Sequence, residues 1–217
     1  MTAADDTSTG NSSPAAAPPV PRIDGRHLRS ARTKQVIIEA YLALLRENPQ
    51  VPTAARIAER AGYSVRSVFE RFADLHALRV AATDYALARG NAQAAAGDVA
   101  GNREARLKAH VETRAGICEQ WLPLWRALNA NQGDSAELKS RILLVRQAIL
   151  KRIELMYMTE LATLEEREHR QILIAIETLV DFESWAHMRE HKGLSFAEAC
   201  AVWIHAIDRL LPPTPVS

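Results

Sequence analysis

At 217 residues and 47% hydrophobic content the chain is long enough for one domain or two small ones around a sizeable core, and a net charge of +1 singles out no strongly charged partner. Its two cysteines, Cys118 and Cys200, form neither a C-x-x-C pair nor a zinc spacing and stand in apolar helical surroundings, so two buried thiols are expected. No apolar run follows a basic start, and no run of about 18 apolar residues occurs, so neither a secretory signal nor a membrane span is expected and a soluble cytoplasmic protein is.

Charge is unevenly spread. Residues 22–85 hold 11 lysines and arginines against 7 aspartates and glutamates, so the positive charge gathers there. Residues 1–21 are Thr, Ser, Ala, Pro and Asp with almost no large apolar side chain; such a segment cannot offset its ordering entropy and reads as a disordered tail. Arg22, Arg26, His27, Arg29, Arg32 and Lys34 then form a basic approach to the first helix. They are either a solvated helix start or an arm that touches phosphates or a minor groove.

The first helix is expected from about Ala31 to Glu47, with Ile37, Ala40, Tyr41 and Leu44 on its core stripe and Asn48-Pro49 as its end. Thr53 caps a second helix whose stripe is Ile57, Ala58 and Ala61. Gly62 can take positive φ past that helix end, and Ser64 can cap a third helix from Val65 to Phe72. Val65, Val68, Phe69 and Phe72 recur at i, i+3, i+4 and i+7, so they are expected to turn inward. Helix, glycine turn and second helix make a helix-turn-helix over residues 53–72. A fourth helix starts near Asp74, with Leu75, Leu78, Ala82 and Tyr85 facing the core.

Beyond it Pro123 is the only proline before Pro212, and no two-residue hairpin signal occurs, so long helices are expected throughout. Gly97 and Gly101 mark a break. A fifth helix runs from about Arg103 to Gln120, and Pro123 starts or kinks a short sixth to Asn131. Asp134 and Glu137 have cap spacing for a seventh, to about Met158. Thr163 and Glu166 have capping-box spacing for an eighth, to about His191. Gly193 stops it, and Ser195 with Glu198 is a further capping box that opens the ninth, to Leu211. The eighth and ninth helices are apolar on more than one face. The second apolar side is most simply covered by another subunit, with Ile176, Leu179, Val180, Trp185, Val202, Trp203, Ile207 and Leu210 at a homodimer interface.

The segments R-T-K-Q-V-I-I-E-A-Y, T-A-A-R-I-A-E-R-A-G-Y-S-V-R-S-V-F-E-R-F and L-H-A-L resemble the tetracycline-repressor-like (TetR) family of bacterial transcriptional regulators over residues 31–85. The stretch F-E-S-W-A-H-M-R-E-H-K-G-L-S-F-A-E-A is similar, more loosely, to that family's last two helices. The resemblance implies an all-α homodimer. A DNA-binding domain, residues 22–85, would be joined to a helical effector-binding and dimerisation domain, 86–211, followed by a tail, 212–217. It also implies binding to a double-stranded DNA operator that a small-molecule effector relieves. Two positions depart from the commoner family pattern: Phe69 stands where a tyrosine hydroxyl often reaches phosphate, and Leu75 where a lysine often does, with His76 next to it as a partial substitute. Phosphate binding then leans on Arg26, Arg29 and Arg32.

Residues near the start of a recognition helix reach base edges. Arg66 is the candidate for direct readout, since a guanidinium makes a bidentate pair with guanine, and Ser67 is a second. Thr53, Tyr63 and Ser64 lie at the caps and the turn, where hydroxyls meet phosphate, and Arg71 is a phosphate contact or an intrahelical partner. Candidates for an effector pocket are His110, Arg114, Cys118, Trp121, Trp125, Arg146, Tyr157 and Glu177, the two tryptophans being one turn apart. His187 and His191 share a helix face but lack an evident third ligand, so no metal is expected, and no cofactor. There is no nucleophile elbow, phosphate loop or dinucleotide fingerprint, and Glu166 with His169 offers only one of the two Glu-x-x-His motifs a di-metal bundle needs, so no enzyme is expected either. The contrasting class is a helical homodimeric interaction protein that does not bind specific DNA; it leaves the basic bias and the polar face of the third helix unexplained.

Overall fold

The structure is a computed structural model that describes residues 25–48, 50–96, 101–133 and 135–215. The tail of residues 1–21, Arg22, Pro49, Gly97 and Asp134 lie outside the described residues, as do the side chains of Arg26 and His27. Every element described is helical, as the sequence predicts: α1 (Gly25–Glu47), α2 (Ala54–Ala61), α3 (Val65–Arg71), α4 (Leu75–Ala96), α5 (Arg103–Asn131), α6 (Ala136–Met156), α7 (Met158–Leu161), α8 (Glu166–Leu179), α9 (Phe182–Ala186) with a π-helical turn over His187–His191, and α10 (Phe196–Leu210).

One continuous apolar cluster runs from Ile37 on α1 to Leu211. Its largest fully buried side chains include Trp185, Trp203, Tyr41 and Tyr157. At the centre is α5, which packs against α1, α4, α6, α9 and α10. Asn102 caps α5 by accepting from the Ala105 N–H at 2.9 Å. The 29 residues of α5 form one helix, not the two expected, with Pro123 inside it. A proline there removes one rung of the hydrogen-bond ladder and crowds the carbonyl of Glu119. Packing along the whole length of α5 (Leu107, Val111, Ala115, Cys118, Leu124 and Leu128 are all buried) outweighs that local loss.

Three further expectations are corrected. Residues 25–30 are already helical, so α1 starts at Gly25 and not near Ala31, and Arg26, His27 and Arg29 belong to the helix start. The cap of α6 is Ser135, which accepts from the Leu138 N–H at 3.2 Å. The long eighth helix is broken. Thr163 makes no cap but donates to the carbonyl of Glu160 at 2.8 Å, closing α7. Asp181 then interrupts the run in an extended conformation and caps α9 by accepting from the Glu183 N–H at 2.9 Å. The capping box of Ser195 and Glu198 on α10 and the positive φ of Gly193, 65°, are as the sequence predicts.

Candidate nucleic-acid interface and ligand cavity

The stretch Thr53–Phe72 is built almost wholly from local bonds. Thr53 Oγ1 accepts from the Arg56 N–H at 3.4 Å and starts α2. Gly62 ends it at φ 72°, a left-handed value that costs a side-chain-bearing residue about 1–2 kcal/mol. That conformation lets the Gly62 and Tyr63 N–H groups close on the carbonyls of Glu59 and Ala58 at 3.1 and 2.9 Å. Ser64 Oγ accepts from the Ser67 N–H at 3.1 Å and starts α3. Ile57, Ala58, Val68 and Phe72 are buried and fix the angle between the two helices.

The outer face of α3 differs from the one expected. Val65 and Phe69 are not turned inward: they are 40% and 45% exposed, because α3 is only seven residues long and Val68 with Phe72 suffices to anchor it. Between them the Arg66 side chain is 88% exposed, with Nε 3.1 Å from Glu70 Oε1. Ser67 is half-buried and its hydroxyl lies 2.9 Å from that of Ser64. Arg71 is half-buried, with no hydrogen-bond partner at Nε, so the intrahelical pair belongs to Arg66. The Tyr63 hydroxyl lies 3.5 Å from that of Thr33, which brings the α1 turn carrying exposed Arg29 and Arg32 beside Gly62. His76, the expected partial substitute for a lysine, points away from α3. Its ring faces the start of α6, with Nε2 3.4 Å from Ser135 Oγ and 3.8 Å from Glu137.

A cavity lies between α4, α5, α6 and the first residue of α9. It measures about 810 Å³ with its mouth and about 100 Å³ in the part that a water centre can reach. Thr83, Ala86, Leu87, Gly90, Asn91 and Ala94 of α4 form one wall, and Val145, Ala148, Ile149 and Arg152 of α6 another. The α5 wall includes His110, Thr113, Arg114, Ile117, Trp121 and Trp125. The Arg114 guanidinium sits 4.4 Å over the Phe182 ring, which in turn stacks on Trp125 at 4.9 Å. Arg114 Nε donates to the carbonyl of Val180 at 2.9 Å. His110 Nδ1 lies 2.7 Å from the Tyr157 hydroxyl. Burial, and then the positive fields of Arg114 and Arg152, push the imidazole down to about 3, so it is neutral near pH 7.

No family model matches the chain, and no curated protein matches it. Solved structures do match. A TetR-family transcriptional regulator from Streptomyces coelicolor superposes with a TM-score of 0.70 at 20% identity, over 83% of this chain and 80% of its own. A TetR-like transcriptional regulator from Rhodococcus sp. RHA1 gives 0.60 at 16% identity, over 82% and 95%. The multidrug binding protein EbrR, solved with imidazole, gives 0.57 at 18% identity, over 93% and 100%. The fold is that of TetR-family transcriptional regulators.

Within this TetR fold the expected ligand residues divide. His110, Arg114, Trp121 and Trp125 line the cavity, and Tyr157 stands behind it on His110. Cys118 is not in the wall; it is fully buried elsewhere on α5, where burial pushes its thiol up to about 11. Cys200 is likewise buried. Arg146 and Glu177 face each other at 4.0 Å outside the cavity, joining α6 to α8. Thr83, Asn91, Thr113, Arg152 and Phe182 were not anticipated, since no periodicity in α4 or α6 reveals which residues meet across a gap. The expected dimer-interface residues divide too. Ile176, Val180, Trp185, Trp203 and Ile207 are buried inside the protomer, where Trp185 meets Trp203 at 4.9 Å, so they cannot reach a partner. Leu179 is half-buried, and Val202 and Leu210 reach solvent, as do Ile174 and Phe196, which the expected interface did not include. No helix among the described residues is long and apolar enough to cross a membrane.

Proposed function

We propose that this chain is a member of the TetR family and acts as a repressor. In this reading it binds a palindromic operator as a homodimer and is released by a small-molecule effector, with no catalytic step. The observation that carries this is the course of α4. It starts four residues after Arg71, the last residue of the reading helix, and the same helix supplies a whole wall of the cavity. A guest that favours one position of α4 therefore favours one position of α3, and the operator's affinity shifts by the guest's differential affinity for the two states.

Arg66 reads a guanine edge, while Thr53, Tyr63, Ser64 and Ser67, with Arg29 and Arg32 from α1, meet phosphate and base edges around it. Exposed Val65 and Phe69 add apolar surface suited to thymine methyl groups. Arg71, half-buried, is a weaker candidate. The outer faces of α8 and α10, with Ile174, Leu179, Phe196, Val202 and Leu210, form the dimer contact, since exposed apolar side chains gathered on two adjacent helices are better covered than left in water. Two reading helices then stand about one turn of duplex apart, or a small multiple, which selects a palindrome.

The test is an electrophoretic shift with DNA from upstream of the chain's own gene, at several salt concentrations, together with footprinting. A footprint over a palindrome and a steep loss of affinity with salt are expected. Salt-steep binding without sequence preference, or none, would falsify the operator reading.

A further inference from the structure

The cavity's polar groups are unequal in sign. Its titratable wall residues are His110, Arg114 and Arg152, and neither an aspartate nor a glutamate is among them. His110 is held neutral by its burial, so the charge that the argument uses is that of Arg114. The unsatisfied polar atoms are one-sided too. Arg114 is 6% exposed, and its Nη2 is buried with no hydrogen-bond partner. Trp121 is 5% exposed, and its Nε1 is in the same position. Both atoms can only donate. A buried donor left without an acceptor is costly, so an acceptor brought by a guest is favoured at either atom.

Around Arg114 the geometry is set in advance. Nε is tied to the carbonyl of Val180, and the plane of the guanidinium lies over Phe182. Those two contacts fix the side chain and hold its guanidinium in the cavity wall. The Phe182 ring continues the stack to Trp125, and Leu87, Ile117, Leu124 and Val145 add alkyl surface to the wall. Trp121 lies seven residues beyond Arg114 on the same face of α5, about 10 Å along the helix.

We propose that the cavity binds an organic carboxylate with an apolar, preferably aromatic, body. The carboxylate accepts from Arg114 Nη2, and the ring joins the stack of Phe182 and Trp125. Trp121 Nε1 is a second donor for a ligand long enough to carry an acceptor at its far end. A cation is disfavoured by Arg114. A neutral ligand leaves the Arg114 charge without a counterion. This ligand class deepens the proposed effector role of the cavity and rests on it only for its biological consequence.

The test uses the full chain and three probe sets: benzoate, naphthalene-2-carboxylate and decanoate, each beside its neutral amide and its ammonium analogue. Binding is read by calorimetry and by quenching of tryptophan fluorescence. At least one carboxylate is expected to bind about tenfold or more tightly than its amide, with the ammonium analogue weakest. In Arg114→Gln that ratio falls to near one while the amide's own affinity is kept. Should Arg114→Gln not fold, Arg114→Lys retains the charge and is expected to keep part of the preference. If no carboxylate exceeds its amide in the unaltered protein, or if the ratio survives in Arg114→Gln, the inference is overturned. The operator shift repeated with the tightest carboxylate separates the two ideas. Binding with unchanged operator affinity removes the effector role and leaves the ligand class standing, whereas release by amide and carboxylate alike, at equal affinity, does the reverse.

Discussion

Around Gly62 most of the capping and pairing side chains find partners three or four residues away. Thr53 holds Arg56, Ser64 holds Ser67, and Arg66 holds Glu70, all at positions open to water. Around the cavity the partners come from far apart in the chain, and they are buried. His110 meets Tyr157, Arg114 meets Val180, and Arg106 grips Glu160 at 2.5 Å with the carboxylate wholly hidden from solvent. The first arrangement leaves side chains free to be satisfied by another molecule's surface. The second ties distant helices together. Reading head and cavity thus use the same residue types to opposite ends.

The contrast is broken most severely at Arg106. Burial alone would raise the Glu160 carboxyl, but hydrogen bonds from Arg106 and Thr214 outweigh it and hold it below its usual range. Arg106→Met strands that carboxylate in the core and is expected to cost about 3–5 kcal/mol in denaturant unfolding. A loss under 1 kcal/mol would mean that water reaches Glu160. At Arg66 the opposite split is expected. Its pair with Glu70 is exposed and worth little to folding. Arg66→Ala should leave the melting temperature unchanged while costing about 1–3 kcal/mol of operator binding and relaxing choice at one base pair. Unchanged preference in a binding-site selection would remove the base-reading role.

His110 sharpens the comparison through pH. Its folded value, about 3, lies below the ordinary 6.5, so within that window the unfolded chain binds a proton that the folded chain refuses. Stability should therefore fall as pH drops below about 6.5, by at most about 1.4 kcal/mol per pH unit from this group. Urea midpoints taken from pH 6.5 down to about 5, above the range in which Glu160 titrates, should slope less in His110→Asn; equal slopes in the two proteins would contradict a buried neutral imidazole. The smallest effect belongs to the reading head. Ser64→Ala removes one exposed cap and should cost about 1 kcal/mol of stability, visible as a lower melting temperature, and no loss would show that the turn holds α3 without it.

The same division decides what could be read from the residues alone. The caps at Thr53, Ser64 and Ser195, the stop at Gly62 and the run of α3 all depend on neighbours within one helical turn, and the sequence displays neighbours. Phe69 was misplaced because periodicity counts apolar positions without knowing how many of them a seven-residue helix can bury. The eighth helix was overextended because Thr163 and Asp181 each have two possible uses, and only the fold around them selects one. Val180, Trp185, Trp203 and Ile207 were assigned to a partner subunit because a helix apolar all round needs cover on every side, and nothing local tells whether the cover comes from α5 or from another chain. The cavity was half legible. The α5 residues share a face, but Thr83, Asn91, Arg152 and Phe182 join them only through the crossing of three helices.

Pro123 gives α5 a further property. A helix of 29 residues running through the whole core would act as a stiff strut. The proline stands between Trp121 and Trp125, the two tryptophans that line the cavity, and leaves the carbonyl of Glu119 without its rung. A small bend at that level breaks no bond that has not already been given up. If the proposed aromatic guest is bound, Pro123 makes this stretch the place where α5 has the least hydrogen bonding to lose by flexing.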